Sequence, residues 1–528
     1  MSSLRDRLDR LRAHAASVKE AEAAFREAAE SSAGADARHG SESAGAADTL
    51  GAQETERLQD ALGAQSDVRV VPESGLPDEA AGERTAGQSK AAAVEQGAGE
   101  RLTDALGERL PDRTANGLHP ALSALGVTEV AGEAGCFLRR RAVYPLEHRH
   151  GHYVLSELTS GAGRLHPIAA RQNRAGRAAV SASDATASVQ ERIEAHRLLF
   201  LDTETTGLGV GTGNLPFMIG IGYVDHGERT FVVEQLLIRH PGEERAMLAY
   251  LLGRFADVTH LVTYNGRSFD WPVLTSRFVL NGWRPSGEGP GHLDFLHPAR
   301  ALWRNTLPSC KLSRIEEDRL GIVRSEDVPG SLAPELYMRY LSDGDGSHLR
   351  GVYVHNERDI LTLASLAVHF GGLLEGRLGA QWALPSEPEE LYRTAAWLEE
   401  HGGASHAERL FEALCAEETQ DGRWLLPAAA RFKRLGRLEE AAALWERAAR
   451  HAEARLLPSA EAHIELAMHY EHRRRDPRAA LDYAERALAL LQRRSSLRQS
   501  ARARAELEAV RHRMARLRRK LEAAIRSG

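Results

Sequence analysis

"LLFLDTETTGLGVGTG", residues 198–213, runs four apolar residues into Asp-Thr-Glu and then breaks into glycines. The apolar run reads as a buried strand. Alternate residues of a strand share a face, so Asp202 and Glu204 stand side by side at its end. Two like charges at that separation repel unless something positive lies between them. A divalent metal is one answer, and a pair of arginines or plain solvent exposure is another.

The neighbouring motifs weigh on that choice. "VTYNGRSFDWPVL" (262–274) places Asp270 just after a second apolar run, with Pro272 where helices start. "YVHNERDILTL" (353–363) places Asp359 on a helix, with His355 one turn earlier on the same face. Four acids on separate elements, three of them beside runs that read as core, need cations to stay charged. Two divalent ions about 4 Å apart meet that need. The glycines at 207–213 do not form a dinucleotide fingerprint, because an apolar strand rather than a helix follows them. Thr205, Asn265 and Ser268 lie beside the acids and either touch substrate or, for the last two, cap the following helix. His292 and Asp294 in "GHLDFLHP" read as supporting residues. Arg139, Arg140, Arg141, Arg149, His148 and His150 either contact phosphates leading to the site or form a solvated strand edge.

The elements around these motifs define an α/β fold. "LPFMIGIGYV" and "RTFVVEQLLI", joined by "DHGE", read as an antiparallel hairpin following the 197–203 strand. Helices at 243–256, 271–281 and near 354–370 alternate with further strands, giving a mixed sheet.

In this order the motifs resemble the DEDD exonuclease family, which has a ribonuclease H-like fold and removes nucleotides from 3′ ends. Within it, "FLDTETTGL", "YNGRSFD", "CKLSRIEEDRLGI", "DVPGS" and a repeat-bearing tail look like the bacterial YprB/MrfB group, over about residues 120–490. The resemblance implies a nuclease domain at 119–380, with a mixed five-stranded sheet, flanking helices and a β-rich extension at 119–195. It implies that Asp202, Glu204 and Asp359 hold one Mg²⁺ or Mn²⁺, with Asp202 bridging to a second that Asp270 supports. It also implies DNA as substrate, in repair, with a helicase partner recruited through the repeats or the N-terminal tail. His355 falls at the general-base position, and its intrinsic pKa near neutrality suits that work. The H-x-x-x-D spacing is nevertheless that of the subgroup with Tyr at this place. RNA or short oligonucleotides remain an alternative substrate, and a repeat scaffold with a degenerate nuclease domain is a reading of another class.

At 528 residues the chain exceeds one core, and its net charge of −6 confines any polyanion site to a local basic patch. Cys136, Cys310 and Cys415 are far apart and form no C-x-x-C pair, so neither a disulfide framework nor a zinc site is expected. With no apolar leader or membrane-length run, the expectation is a reduced cytoplasmic protein without a membrane partner. Residues 1–118 read as an N-terminal helix (2–30) followed by a low-complexity tract. Positions 31–100 contain no aromatic residue and are expected to be disordered. "ERLQDALG" at 56–63 recurs there as "ERLTDALG" at 100–107.

Beyond 386 the strand pattern stops. "AAWLEEHGGASHAERLF" (395–411) aligns with "AARFKRLGRLEEAAALW" (429–445), setting Gly402 on Gly436. "DPRAALDYAERALAL" (476–490) continues the pattern. The period resembles tetratricopeptide repeats over 386–494. Residues 495–528 form a basic amphipathic helix with Leu507, Val510, Met514, Leu517 and Leu521 on its apolar stripe.

Overall fold

The computed structural model describes residues 118–177, 193–207, 213–283, 289–324, 327–416, 422–453, 459–497 and 501–527, together with the pair 69–70. The expected helix at 2–30, the "ERL-x-DALG" pair and almost all of the low-complexity tract lie outside these residues, as does most of the glycine run.

A mixed sheet organises the first half. Its strands are β1 (Val127–Gly132), β2 (Gly135–Pro145), β3 (Leu198–Thr205), β4 (Pro216–Asp225), β5 (Thr230–Leu237), β6 (His260–Thr263) and β7 (Gly291–Asp294). The order is β2-β5-β4-β3-β6-β7, with β1 and the short strand Arg69–Val70 both on the outer edge of β2. β3, β4 and β5 form the antiparallel meander, while β6 and β7 run parallel to β3. Five strands were expected, and eight are present among the described residues. β2 is longer than the short strands read from 136–155, and its register with β5 carries the central five-stranded sheet outward. The remainder of that stretch makes only a two-residue hairpin, Arg149–His150 with Tyr153–Val154.

β3 explains its own position. Its first four residues, Leu198, Leu199, Phe200 and Leu201, are all buried, so both faces of the strand are covered and it sits in the sheet's centre. Helices α1 (Glu244–Arg254), α2 (Asp270–Leu280), α3 (Leu296–Trp303), α4 (Ala333–Asp343) and α5 (Arg350–Glu375) flank the sheet. α5 crosses β3, β4 and β5 and buries most of its length in their core. It ends where Gly376 takes a left-handed conformation (φ +86°) that other residues adopt at a cost.

Among the described residues seven helices follow: α6 (Pro388–Glu400), α7 (Ala404–Ala416), α8 (Leu425–Arg434), α9 (Leu438–Glu453), α10 (Glu461–His469), α11 (Pro477–Leu497) and α12 (Ala501–Ser527). They pack in sequential pairs. The aligned glycines Gly402 and Gly436 occupy the same place, the left-handed turn between the two helices of a pair (φ +84° and +76°). Arg475 takes that conformation in the third pair (φ 55°), which accounts for the weaker sequence match there. On α12, Val510, Met514 and Leu517 are buried against α11, and Leu507 lies partly buried beside them. Three of its cations, Arg513, Arg516 and Lys520, converge on the buried Glu471 rather than pointing to solvent.

Candidate nuclease site

The acids meet at the end of β3. Asp202 and Glu204 emerge from the strand just before its bulge at Glu204/Thr205. Asp270 opens α2, and Asp359 projects from α5 one turn beyond His355. The helical spacing gives the expected contact, with His355 Nε2 3.6 Å from Asp359 and 4.0 Å from Glu204. Asp270 accepts a hydrogen bond of 2.5 Å from the Thr203 hydroxyl. Burial, together with the charges of Asp359, Glu204 and Asp270, raises the pKa of Asp202. Burial lifts Glu204 to about 7, partly opposed by the charge of His355. Burial also lifts Asp270 to about 6 against the Thr203 hydrogen bond. These acids sit where positive charge is wanted.

Part of that charge comes from within. Arg324 bonds Asp359, Asp327 and both oxygens of Glu316, an acid with no exposed surface. Asp327 lies 2.9 Å and Arg324 Nη1 3.0 Å from His355 Nδ1, so that side of the ring is engaged and Nε2 faces the acids. Burial works against the imidazolium, but the Asp327 hydrogen bond and the Asp359 and Glu204 charges outweigh it and hold the pKa at about 9. Gly330 passes so close that a Cβ there would come within 2.9 Å of His355 Nε2. Glu316, Arg324 and Asp327 fall in or beside the stretches "CKLSRIEEDRLGI" and "DVPGS", whose individual residues carry no role in the sequence reading.

A fourth unpredicted residue, Asn356, is fully buried and donates its amide to Asp202 Oδ2 at 2.9 Å. It fits because the residue paired with Asp202 across the sheet is Gly220, where a Cβ would come within 2.3 Å of the Asn356 oxygen. Behind it stands a line of hydrogen bonds. Arg140 donates to Gln235 Oε1 (2.7 Å), and Gln235 Nε2 donates to Asn356 Oδ1 (3.1 Å). Arg140 also binds Glu357 and the Leu125 carbonyl, so it is turned inward and not toward phosphates as expected from the sequence.

The other expected contacts divide. Asn265 and Ser268 are exposed beside Asp270, and no side-chain hydrogen bond caps α2. Asn265 has a left-handed backbone conformation (φ 66°), and its backbone N–H donates a hydrogen bond to the Asp294 carboxylate. Thr205 is buried and spends its hydroxyl on the Gly207 carbonyl. Arg139 lies over Tyr250 and bonds its hydroxyl, whereas Arg149 is exposed and bonds the His152 carbonyl. His150 is half-buried and bonds the Thr362 hydroxyl of α5. Asp294 is a backbone clamp, receiving the amides of Asn265, Arg267 and Leu296, and His292 bonds the Thr263 hydroxyl.

An all-carboxylate donor set suits a hard divalent cation such as Mg²⁺ or Mn²⁺. Among the described residues no three such side chains close on one point as a ready-made coordination sphere. Asp359 is turned onto Arg324 and Asp270 onto Thr203. The residues therefore fit the ion in chemistry, and Asp359 must turn from Arg324 to hold it.

Residues 199–370 match a family model described as RNase_H superfamily. The chain is also 35% identical over 374 residues to a Bacillus subtilis (strain 168) protein named "Uncharacterized protein YprB", covering 69% of this chain and 83% of that one. Among the described residues no helix is long and apolar enough to cross a membrane.

Proposed function

We propose, because the chain belongs to the family of YprB and carries a domain of the RNase_H superfamily, that it is a 3′–5′ exonuclease acting on nucleic acid with two divalent metal ions. The observation that carries this reading is the meeting of Asp202 and Glu204 from β3, Asp270 from α2 and Asp359 from α5 around the open side of His355. Bound Mg²⁺ or Mn²⁺ would supply an ionised water and stabilise the charge that grows on the phosphoryl oxygens. Asp202, Glu204 and Asp359 would hold one ion, with Asp202 shared with a second near Asp270.

The chain's own residues do the rest. Asp327 keeps the proton on His355 Nδ1, so Nε2 is the nitrogen that exchanges a proton with the attacking water. Ionised Glu204 and Asp359 hold that proton on Nε2, so neutralising them frees the nitrogen to act as a base. Asn356 fixes which oxygen of Asp202 is engaged. Exposed Asn265 and Ser268 line the approach to Asp270. DNA as substrate, a role in repair, a helicase partner and tetratricopeptide-like pairing of α6–α11 rest on the resemblance set out above. Labelled single- and double-stranded DNA and RNA, incubated with Mg²⁺ or Mn²⁺ and mapped for products, test the reading. Loss of nucleotides from the 3′ end that disappears in Asp202→Ala is expected, and no cleavage of any substrate overturns it.

A further inference from the structure

A cleft of about 510 Å³ lies where α3 and the helix His166–Arg177 meet α6, within the range of roughly 300–1,000 Å³ typical of ligand sites. Its floor is apolar and includes the edge of Trp397, a residue only 5% exposed. His401 lies beside that ring, tilted by 32° at 4.4 Å between centroids. Its Nδ1 donates to the Trp397 carbonyl at 2.7 Å, which leaves Nε2 as an acceptor. Arg171, Arg267 and His297 stand on the rim. Among the described residues the Arg267 guanidinium makes one long bond, 3.5 Å to Asn173, while exposed Arg171 bonds both the carboxylate (3.1 Å) and the backbone carbonyl (2.6 Å) of Glu400.

The cleft is joined to the acid cluster. Arg267 lies three residues before Asp270 in the same loop. Gln172, another lining residue, exchanges two hydrogen bonds with the backbone of Asp294, and the Asp294 carboxylate holds the Asn265 and Arg267 amides. One wall of the cleft and the loop carrying Asp270 are therefore a single hydrogen-bonded unit.

We propose that this cleft binds a nucleotide of a single strand whose end lies at the acid cluster. An apolar floor edged by the tilted Trp397–His401 pair takes a base without regard to sequence, and rim arginines take the adjoining phosphates. The His401 acceptor meets an exocyclic amine. Exposed Asn265 and Ser268 span the path between. This rests on the nuclease reading for the strand's direction, but not for its binding.

The test uses the full chain and two measurements. First, 12-nucleotide DNA and RNA strands carrying 5-iodouracil are cross-linked in EDTA and the adducts mapped by mass spectrometry. Adducts at Trp397 or His401 are expected, and adducts only elsewhere overturn the cleft. The DNA and RNA arms report which sugar it prefers. Second, Arg171→Gln with Arg267→Gln is compared with wild type. The salt slope of strand binding should flatten by about 0.7 for each phosphate left without its arginine. KM for the 12-nucleotide strand should rise about tenfold at unchanged kcat, while a dinucleotide too short to reach is cleaved as before. An unchanged slope and KM sink the proposal. Cross-links in the cleft without cleavage of any substrate would instead sink the nuclease reading and leave the cleft standing.

Discussion

His355 and Glu204 both bind protons more tightly in the folded protein than in the unfolded chain. Glu204 rises from 4.5 to about 7 and His355 from 6.5 to about 9. Each contribution to stability is complete below the unfolded value and is lost as pH passes the folded one. Desolvation holds His150, His292 and His369 neutral, and each gains stability as pH rises to 6.5, so the fall in melting temperature of the metal-free protein belongs to the window from about pH 7 to about pH 9. Calorimetry in EDTA checks this, and a rise across that window would contradict it. Added Mg²⁺ should flatten the fall by supplying the positive charge that protons otherwise provide. At the same scale, His355→Ala should slow turnover by about 10² or more, as loss of a general base does. Asp327→Asn should cost less and shift the pH–rate profile, because the imidazole survives and only its anchor is weakened. An unchanged profile in both variants would leave water activation without either residue.

Gly220 shows how one strand position governs a helix. It pairs with Asp202 across the sheet, and its missing side chain admits Asn356 of α5. Gly220→Ala should displace that amide from Asp202, destabilising the fold by about 1–3 kcal/mol, as overpacking does, and lowering kcat more than it raises KM. Urea unfolding and steady-state kinetics measure the two effects, and a full kcat would show that Asn356 is dispensable. This pairing also marks what the sequence could convey. β3, its two acids, the meander and the His355–Asp359 turn follow from period and spacing, because each is a local property of the chain. Arg324, Asp327, Glu316 and the inward turn of Arg140 depend on which elements become neighbours. An arginine on a strand reads as an edge cation until β5 and α5 are seen to close over it. The sheet's eight strands escaped for the same reason, since edge pairing of β2 with β5 leaves no local mark.

The helical half is held together by its own long-range contacts. Glu471, two residues past the end of α10, accepts from Arg513, Arg516 and Lys520 of α12. Burial alone would raise its pKa, but the Arg516 and Lys520 hydrogen bonds bring it down to about 2. Glu471→Ala leaves three cations without their shared anion, and because Arg516 and Lys520 reach solvent it should cost about 1–3 kcal/mol, between an exposed and a fully buried pair. Proteolysis should then attack α12 while nuclease turnover is retained. Continued resistance there would mean that the apolar stripe alone docks α12. The line from Arg140 to Asp202 spans the other half, and it runs one way. Arginine can only donate, so Gln235 must offer its oxygen to Arg140 and its nitrogen onward, and Asn356 must repeat the pattern. Gln235→Glu breaks this grammar. A carboxylate facing Asn356 turns the amide over, and Asp202 then meets a carbonyl oxygen. A geneticist screening for loss of function would recover that allele among the active-site mutants, although the position is sealed inside the sheet and touches no substrate.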